Sequence, residues 1–317
     1  MGANLISTER NLTGYGNNIP YVEWPKSARV VVQFVLNYEE GGENCVLNGD
    51  KSSETFLCDI VDAKPYNDRH MSVESLFEYG SRVGFWRVFE EFEKRDLLLT
   101  IFASGLALRK NKLVAQTLAD SRHEIAGHGW KWIDYQHIDP GTEKIHIQKT
   151  IKEIHDITGE YPAGWYTGRD SPNTRRLVAE AGTFLYDSDY YGDELPFWCR
   201  VKIDENQHIG HLVIPYSLDC NDMRFFTGNG FSTSNDFFVY LKDTFDYLYA
   251  HGQDLPRMMS IGLHGRIIGR PGRFVALERF LDYLLKFDNV WIPTRKNIAT
   301  YWISKYPFLN EDGKQYV

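Results

Sequence analysis

Hydrophobic and polar positions alternate along this chain in two periods. Residues 29–36 form a nearly continuous β-branched run, the pattern of a strand buried on both faces. Residues 75–94 carry Leu76, Tyr79, Val83, Trp86, Phe89 and Phe92 at helical spacing, which predicts an amphipathic helix. The alternation continues with a strand at 97–102, a helix at 107–121, a short strand at 124–127 and a polar amphipathic helix at 142–158. A strand at 163–167 precedes a helix at 173–181, with Pro172 near its start. Later, 184–186, 211–215 and 258–263 read as strands, 235–249 and 274–287 as helices, and 290–292 as a last strand before a helix at 295–304. Strands alternating with helices predict an α/β fold with a parallel sheet. About eight strands fit a (β/α) barrel better than an open sheet. No low-complexity or Pro/Gly/Ser-rich stretch divides the pattern. Residues 1–317 therefore read as a single domain, with residues 1–28 as an N-terminal extension.

Polar clusters follow the strands: Asn37 and Glu39, His128, Tyr166 to Arg169, Asp187 and Asp189, Asp219 and Asp222, and His264. In a β/α barrel such positions converge on the C-terminal face, where active sites sit. Glu39 is a candidate general base or ligand, against the alternative of a solvated acidic loop. Gly41 and Gly42 beside it allow close backbone approach and favour a site. His128, between Gly127 and Gly129, and His264, in Leu263-His264-Gly265-Arg266, are acid/base candidates by position. Either could instead be a histidine satisfied by backbone. The run from His128 to Trp132 carries a further signal. Two histidines four apart with a carboxylate would make a zinc site, but the second place holds Trp132, whose indole donates hydrogen bonds and cannot ligate a cation. The pocket reads as that of a metallohydrolase that has lost a ligand. Arg169 offers a fork for planar amides or carboxylates, or a surface pair with Asp170. Asp222 reads as orienting a histidine or binding substrate N–H, and Asp219 as a turn cap. Among the other histidines, His70 beside Arg69 is the exception to a surface reading. No GxSxG elbow, Walker loop or Rossmann fingerprint is present.

The formal net charge of -8, without basic runs, makes nucleic acid and anionic membranes poor partners and favours a small or neutral substrate. Trp, Tyr and Phe number 8, 19 and 19, enough for both a large core and a lined pocket. Cys45, Cys58, Cys199 and Cys220 form no CxxC pair and read as free thiols of a reducing compartment. Residues 1–18 are polar without an apolar segment, and no run approaches a membrane span, so a cytoplasmic location is expected. Gly2 lacks the hydroxyl residue that a myristoylation motif needs at position 6, where Ile6 stands.

Several stretches together resemble a known family. They are 34–43 (Phe-Val-Leu-Asn-Tyr-Glu-Glu-Gly-Gly-Glu), 70–74, 79–82, 164–169 (Gly-Trp-Tyr-Thr-Gly-Arg), 184–189, 215–224 and 262–266. The chain resembles the NodB-type polysaccharide deacetylases of carbohydrate esterase family 4, and more closely the metal-independent allantoinases within that superfamily. The resemblance implies a distorted NodB-type barrel. It sets Asn37 and Glu39 where the metal-dependent members carry a DxD-like run, and His128 and Trp132 where they carry two metal-binding histidines. The family's arginine motif falls near Tyr166 and is altered, and its late catalytic histidine matches His264. Gly265 stands where a cysteine can occur in the allantoinase branch.

These departures imply hydrolysis of a cyclic amide, the hydantoin ring of allantoin, to allantoate in purine catabolism, without a metal or other cofactor. Catalysis is then expected from Glu39, His128 and His264, with His264 or Glu39 as base and His128 as acid or oxyanion donor. Asn37, Trp132, Tyr166, Arg169 and Asp222 are expected to bind substrate. A homo-oligomer, such as a tetramer, is also implied. The alternative is a chitin or polysaccharide N-deacetylase acting on N-acetylglucosamine polymers with zinc or another divalent metal. A third reading is an inactive sugar- or ureide-binding protein.

Overall fold

The apolar run near residue 30 forms a strand, Val30–Tyr38, in which all nine residues are buried, and the sheet grows from both of its edges. The structure, a computed structural model, describes residues 10–205 and 207–309, together with the backbone of residues 5 and 6. The strands are β1 (Leu5–Ile6), β2 (Val30–Tyr38), β3 (Thr100–Ala103), β4 (Glu124–Gly127) and β5 (Gly164–Trp165). They continue as β6 (Tyr186–Asp187), β7 (Phe197–Lys202), β8 (His208–Val213), β9 (Arg257–His264) and β10 (Val290–Trp291). Their order is β1-β7-β8-β6-β5-β4-β3-β2-β9, with β10 beside the first residues of β2. Every pairing is parallel except β7 with β8. Among the described residues the ladder does not close. Residues 216–222 cross from β8 toward β9, where Asn221 bridges Gly262 and the Gly262 N–H donates to Cys220 O at 3.0 Å.

Alternation along β2 sorts its side chains into two populations. Val30, Val32, Phe34, Leu36 and Tyr38 pack outward against helical residues such as Phe85, Phe92, Phe237, Phe245 and Phe280. The odd positions point the other way and build layers inside the sheet's curve, as barrel interiors do. Gln33 meets the fully buried Arg295 and Ser260. Above them Val35 packs with Phe102, Ala126, Tyr166 and Tyr216. Asn37 lies above that layer, at the C-terminal end, directly opposite His264 of β9.

Several elements depart from the expected boundaries for physical reasons. The helix expected at 75–94 begins at Met71 and is interrupted by a π-turn at Gly80–Gly84 before resuming at Phe85–Lys94. The helix expected at 107–121 is two, Gly105–Lys110 and Lys112–Ala119, separated by Asn111. That side chain caps the second helix by accepting from Val114 N–H at 3.1 Å. The strand at 197–202 was not expected at all. The four cysteines are free thiols. Among the described residues no helix is long and apolar enough to cross a membrane.

Candidate active site

The strand ends deliver a cavity of about 640 Å³ whose wall includes Asn37, Glu39, His128, Trp132, Tyr166, Arg169 and His264. Seven residues singled out from sequence thus meet in one place. Register explains why. Asn37 pairs with Phe102 on one side and His264 on the other, Ala103 with Gly127, and Gly127 with Trp165. The residues just past these positions share one rim.

Glu39 is the hub, and it is almost wholly buried. Its Oε1 lies 3.1 Å from His128 Nε2 and 3.4 Å from His264 Nε2, while Oε2 lies 2.6 Å from Arg266 Nη1. Burial opposes its charge, but Arg266 and the two histidines outweigh it and hold the carboxyl well below the usual carboxylate range. Glu40, one residue on, is also buried and lies 3.7 Å from the same guanidinium. Burial dominates there and pushes its carboxyl up.

Each histidine is fixed through its other nitrogen. His264 Nδ1 lies 2.6 Å from Asp222 Oδ1, and Asp222 Oδ2 accepts from the backbone N–H groups of His264 and Ile268 at 2.7 and 3.1 Å. Burial alone would lower its pKa, but Asp222 and Glu39 raise it to about 9. At neutral pH His264 is an imidazolium. His128 Nδ1 lies 2.7 Å from the carbonyl oxygen of Tyr166. A carbonyl only accepts, so Nδ1 carries a proton and Nε2 is the end that faces Glu39. Without a second proton, two lone pairs would face each other across that 3.1 Å. The Nε2 lone pair and the Glu39 carboxylate thus present two acceptors to one space.

The remaining wall is aromatic and polar. His128 stacks on Tyr166 with ring centroids 5.2 Å apart. The Tyr166 hydroxyl is 2.9 Å from that of Tyr191. Trp132 stacks on Phe56, and the Arg169 guanidinium lies 5.1 Å from the Trp132 ring centroid and donates to Glu54 at 3.2 Å. Asp222 does not line the cavity. Of the two readings of Asp222, orientation of a histidine fits the geometry, because its oxygens are occupied by His264 and Ile268 and it is fully buried. Asp219 accepts from Ser217 and Tyr240, away from the histidines. Asp187 pairs with Arg175 and His211, and Asp189 caps the N–H groups of Thr167 and Gly168. His70 packs against Tyr66 outside the cavity.

Sequence reasoning missed Arg266, Tyr216, Asn221 and the segment Glu54 to Leu57, which also lines the cavity. Arg266 stood in the same short run as His264, three residues beyond a predicted strand. That position was the available signal.

A family model described as Polysaccharide deacetylase matches residues 66–183. A Schizosaccharomyces pombe protein named "Putative polysaccharide deacetylase" is 39% identical over 94% of this chain and 98% of its own length. The chain belongs to the polysaccharide deacetylase family. A crystal structure of a "probable Polysaccharide deacetylase" from Pseudomonas aeruginosa is 52% identical, with a TM-score of 0.90, covering 94% of this chain and 99% of that one. A crystal structure of PuuE allantoinase is 50% identical, with a TM-score of 0.91, covering 94% and 98%.

For this polysaccharide deacetylase family member, a divalent metal of the kind the metal-dependent relatives use does not fit the donors present. The indole of Trp132 offers no lone pair to a cation, and Glu39 Oε2 is already ion-paired with Arg266. The guanidinium is a permanent cation set into the floor, packed on Phe77 and Trp132. A second cation there would meet strong repulsion. Among the described residues no group of three or more His, Cys, Asp or Glu side chains is arranged to hold a metal ion.

Proposed function

We propose that this protein is a metal-independent, cytoplasmic cyclic-amide hydrolase that opens the hydantoin ring of allantoin to give allantoate. One observation carries the reading: Glu39 is clasped by Arg266 and two histidines, with Trp132 beside them where a ligand is needed. The 50% identity with PuuE allantoinase across nearly the whole chain supports it. Hydrolysis needs a base for water, a donor for the tetrahedral oxyanion and an acid for the leaving nitrogen. The base is His128 Nε2, which takes the proton of the attacking water while the Glu39 carboxylate beside it stays ionised. His264, held charged by Asp222, gives its proton to the leaving nitrogen. This divides the roles differently from the expectation of His264 or Glu39 as base and His128 as acid or oxyanion donor, because a histidine with a pKa of about 9 keeps its proton at neutral pH. Arg266 keeps Glu39 ionised throughout. Asn37 spends its amide hydrogens on Leu263 O and Tyr216, leaving Oδ1 to accept a substrate N–H. Arg169, aligned over Phe56 and Trp132, is suited to the planar ureido group.

The family name carried by the relatives keeps N-deacetylation of N-acetylglucosamine polymers as the competing activity. One experiment separates them. The protein is dialysed against a strong chelator, its metal content is measured by elemental analysis, and both allantoin and N-acetylglucosamine oligomers are assayed. Allantoin opening at an undiminished rate is expected. Loss of that activity with recovery on adding zinc, or oligomer deacetylation alone, overturns the reading. Binding of both ligands without turnover would mark a binding protein.

A further inference from the structure

The mechanism above lacks a donor for the oxyanion, and the hydrogen bonds around Tyr216 point to one. Tyr216 lines the cavity beside Asn37, Asn221 and His264. Its hydroxyl oxygen lies 3.2 Å from Asn37 Nδ2 and 3.3 Å from Asn221 Nδ2. Which end of each amide faces the phenol is decided by backbone. Asn37 Nδ2 also donates to the carbonyl of Leu263 at 3.1 Å, so that atom is a nitrogen. Asn221 Oδ1 accepts from the N–H of Met223 at 2.9 Å, so its other end is the nitrogen. Both amides therefore donate to the Tyr216 oxygen. A phenol has two acceptor positions and one donor. With both acceptor positions filled, its hydrogen is left with no acceptor among the hydrogen bonds of the described residues, in a residue that lines the cavity. Gly262 makes room for this arrangement: a Cβ there would fall 2.2 Å from the hydroxyl oxygen and 2.1 Å from Asn221 Nδ2.

We propose that Tyr216 is a catalytic residue whose hydroxyl donates into the cavity to the carbonyl oxygen of the scissile amide as that oxygen becomes an oxyanion. The proposal rests on the amide-hydrolase reading above. The hydrogen stays on the phenol throughout, so no proton is transferred in this step. Burial raises the phenol far above its ordinary value, which keeps it a donor. Two amide N–H groups donating to the same oxygen polarise the O–H further, as chained hydrogen bonds do. Asn37 and Asn221 act as positioning residues that aim the rotor.

Two variants test this. Tyr216→Phe keeps the ring and removes the donor. Its kcat is expected to fall about 10²–10³-fold, the usual cost of one oxyanion donor, with little change in KM. Asn221→Asp keeps the acceptor for Met223 N–H but turns a carboxylate oxygen toward the phenol, which then claims its hydrogen. Here kcat should fall although the hydroxyl is still present. Adding Asn221→Asp to Tyr216→Phe should cost little more, because both act through one hydrogen. Thermal melts check folding, and if Tyr216→Phe fails to fold, Asn221→Asp carries the test. Wild-type kcat in the Phe variant, a loss confined to KM, or additive losses in the double variant overturn the proposal. If wild-type protein turns over neither allantoin nor N-acetylglucosamine oligomers, the amide-hydrolase reading fails on its own. The donor is then read by calorimetry with hydantoin, which should bind about tenfold more weakly to Tyr216→Phe, the worth of about one hydrogen bond. Equal affinity, or no binding by either protein, overturns it.

Discussion

At His264 two carboxylates face opposite ends of one imidazole, 2.6 Å and 3.4 Å away. Asp222 is the closer and gives the larger upward push, so the imidazolium persists to about pH 9. A reaction that needs this proton loses rate as pH rises through that value. We expect an alkaline limb near pH 9 in kcat/KM. Asp222→Asn should move that limb down toward the ordinary histidine value of 6.5. A limb unchanged in that variant would remove Asp222 from the control of His264. Arg266 makes a second expectation, about metal. A zinc ion held by Glu39 would face the guanidinium that already pairs with that carboxylate, a repulsion of several kcal/mol at an effective dielectric of about 20. Trp132→His alone should therefore bind zinc far below one equivalent by elemental analysis. Removing the guanidinium as well, with Arg266→Met, should raise the zinc content. A full equivalent in the single variant would show that Trp132 alone excludes the metal.

Among the elements, long runs were legible, short strands were found with loose boundaries, and interruptions within helices were missed. β2 and β9 were plain because seven or more buried residues leave a clear pattern. β5 and β6 are two residues each; both were expected, but as longer strands at 163–167 and 184–186, and the polar residues near their ends were found from those strands. Seven of the eight site residues chosen from sequence line the cavity, since strand ends converge whatever the exact strand length. Arg266 was passed over because a charged residue after a histidine has no period of its own. Its role appears only when β2 and β9 are placed side by side. The π-turn at Gly80–Gly84 was illegible for a similar reason. At its end the helix comes close to a segment distant in sequence, where a Cβ at Gly84 would fall 1.8 Å from the backbone oxygen of Gly265. Gly265 sits between His264 and Arg266, so this close approach seats the catalytic loop. Gly84→Ala must push backbone against backbone. We expect a loss of about 1–3 kcal/mol, the range of an overpacked core, and a fall in kcat. Thermal unfolding and steady-state kinetics would show both, and a variant with unchanged melting temperature and kcat would mean that the loop is seated by other contacts.

For the molecule as a whole, buried acids set the dependence of stability on pH. Burial raises the carboxyls of Glu40, Glu43, Glu124 and Asp189, with Glu43 reaching about 7. A carboxyl whose folded pKa exceeds its unfolded value binds its proton more tightly when folded, so folding weakens as pH climbs between the two. For Glu43 that window runs from 4.5 to about 7. His264 acts in the same direction from 6.5 to about 9, because its stabilising charge disappears as pH passes the folded value. Net charge adds to both, since the chain is already at -8 by pH 7 and repels itself more as pH rises. On the acid side the sign reverses. Glu39 and Asp187 are held low by Arg266 and Arg175 against the cost of burial, so their contribution is present above their unfolded values of 4.5 and 3.8 and fades as pH falls below them. The two sets of groups leave a maximum of stability at mildly acidic pH, near the pI of about 5.7. We expect the melting temperature by scanning fluorimetry to peak between about pH 5 and 6 and to decline steadily toward pH 9. Glu43→Gln should flatten the part of that decline between pH 5 and 7, because an amide fills the same buried place without titrating. A melting temperature that rises from pH 5 to 8, or a slope untouched by Glu43→Gln, would mean that these acids are solvated in the folded protein. The site would then have to hold its charges without the dry floor on which Arg266 and Glu39 depend.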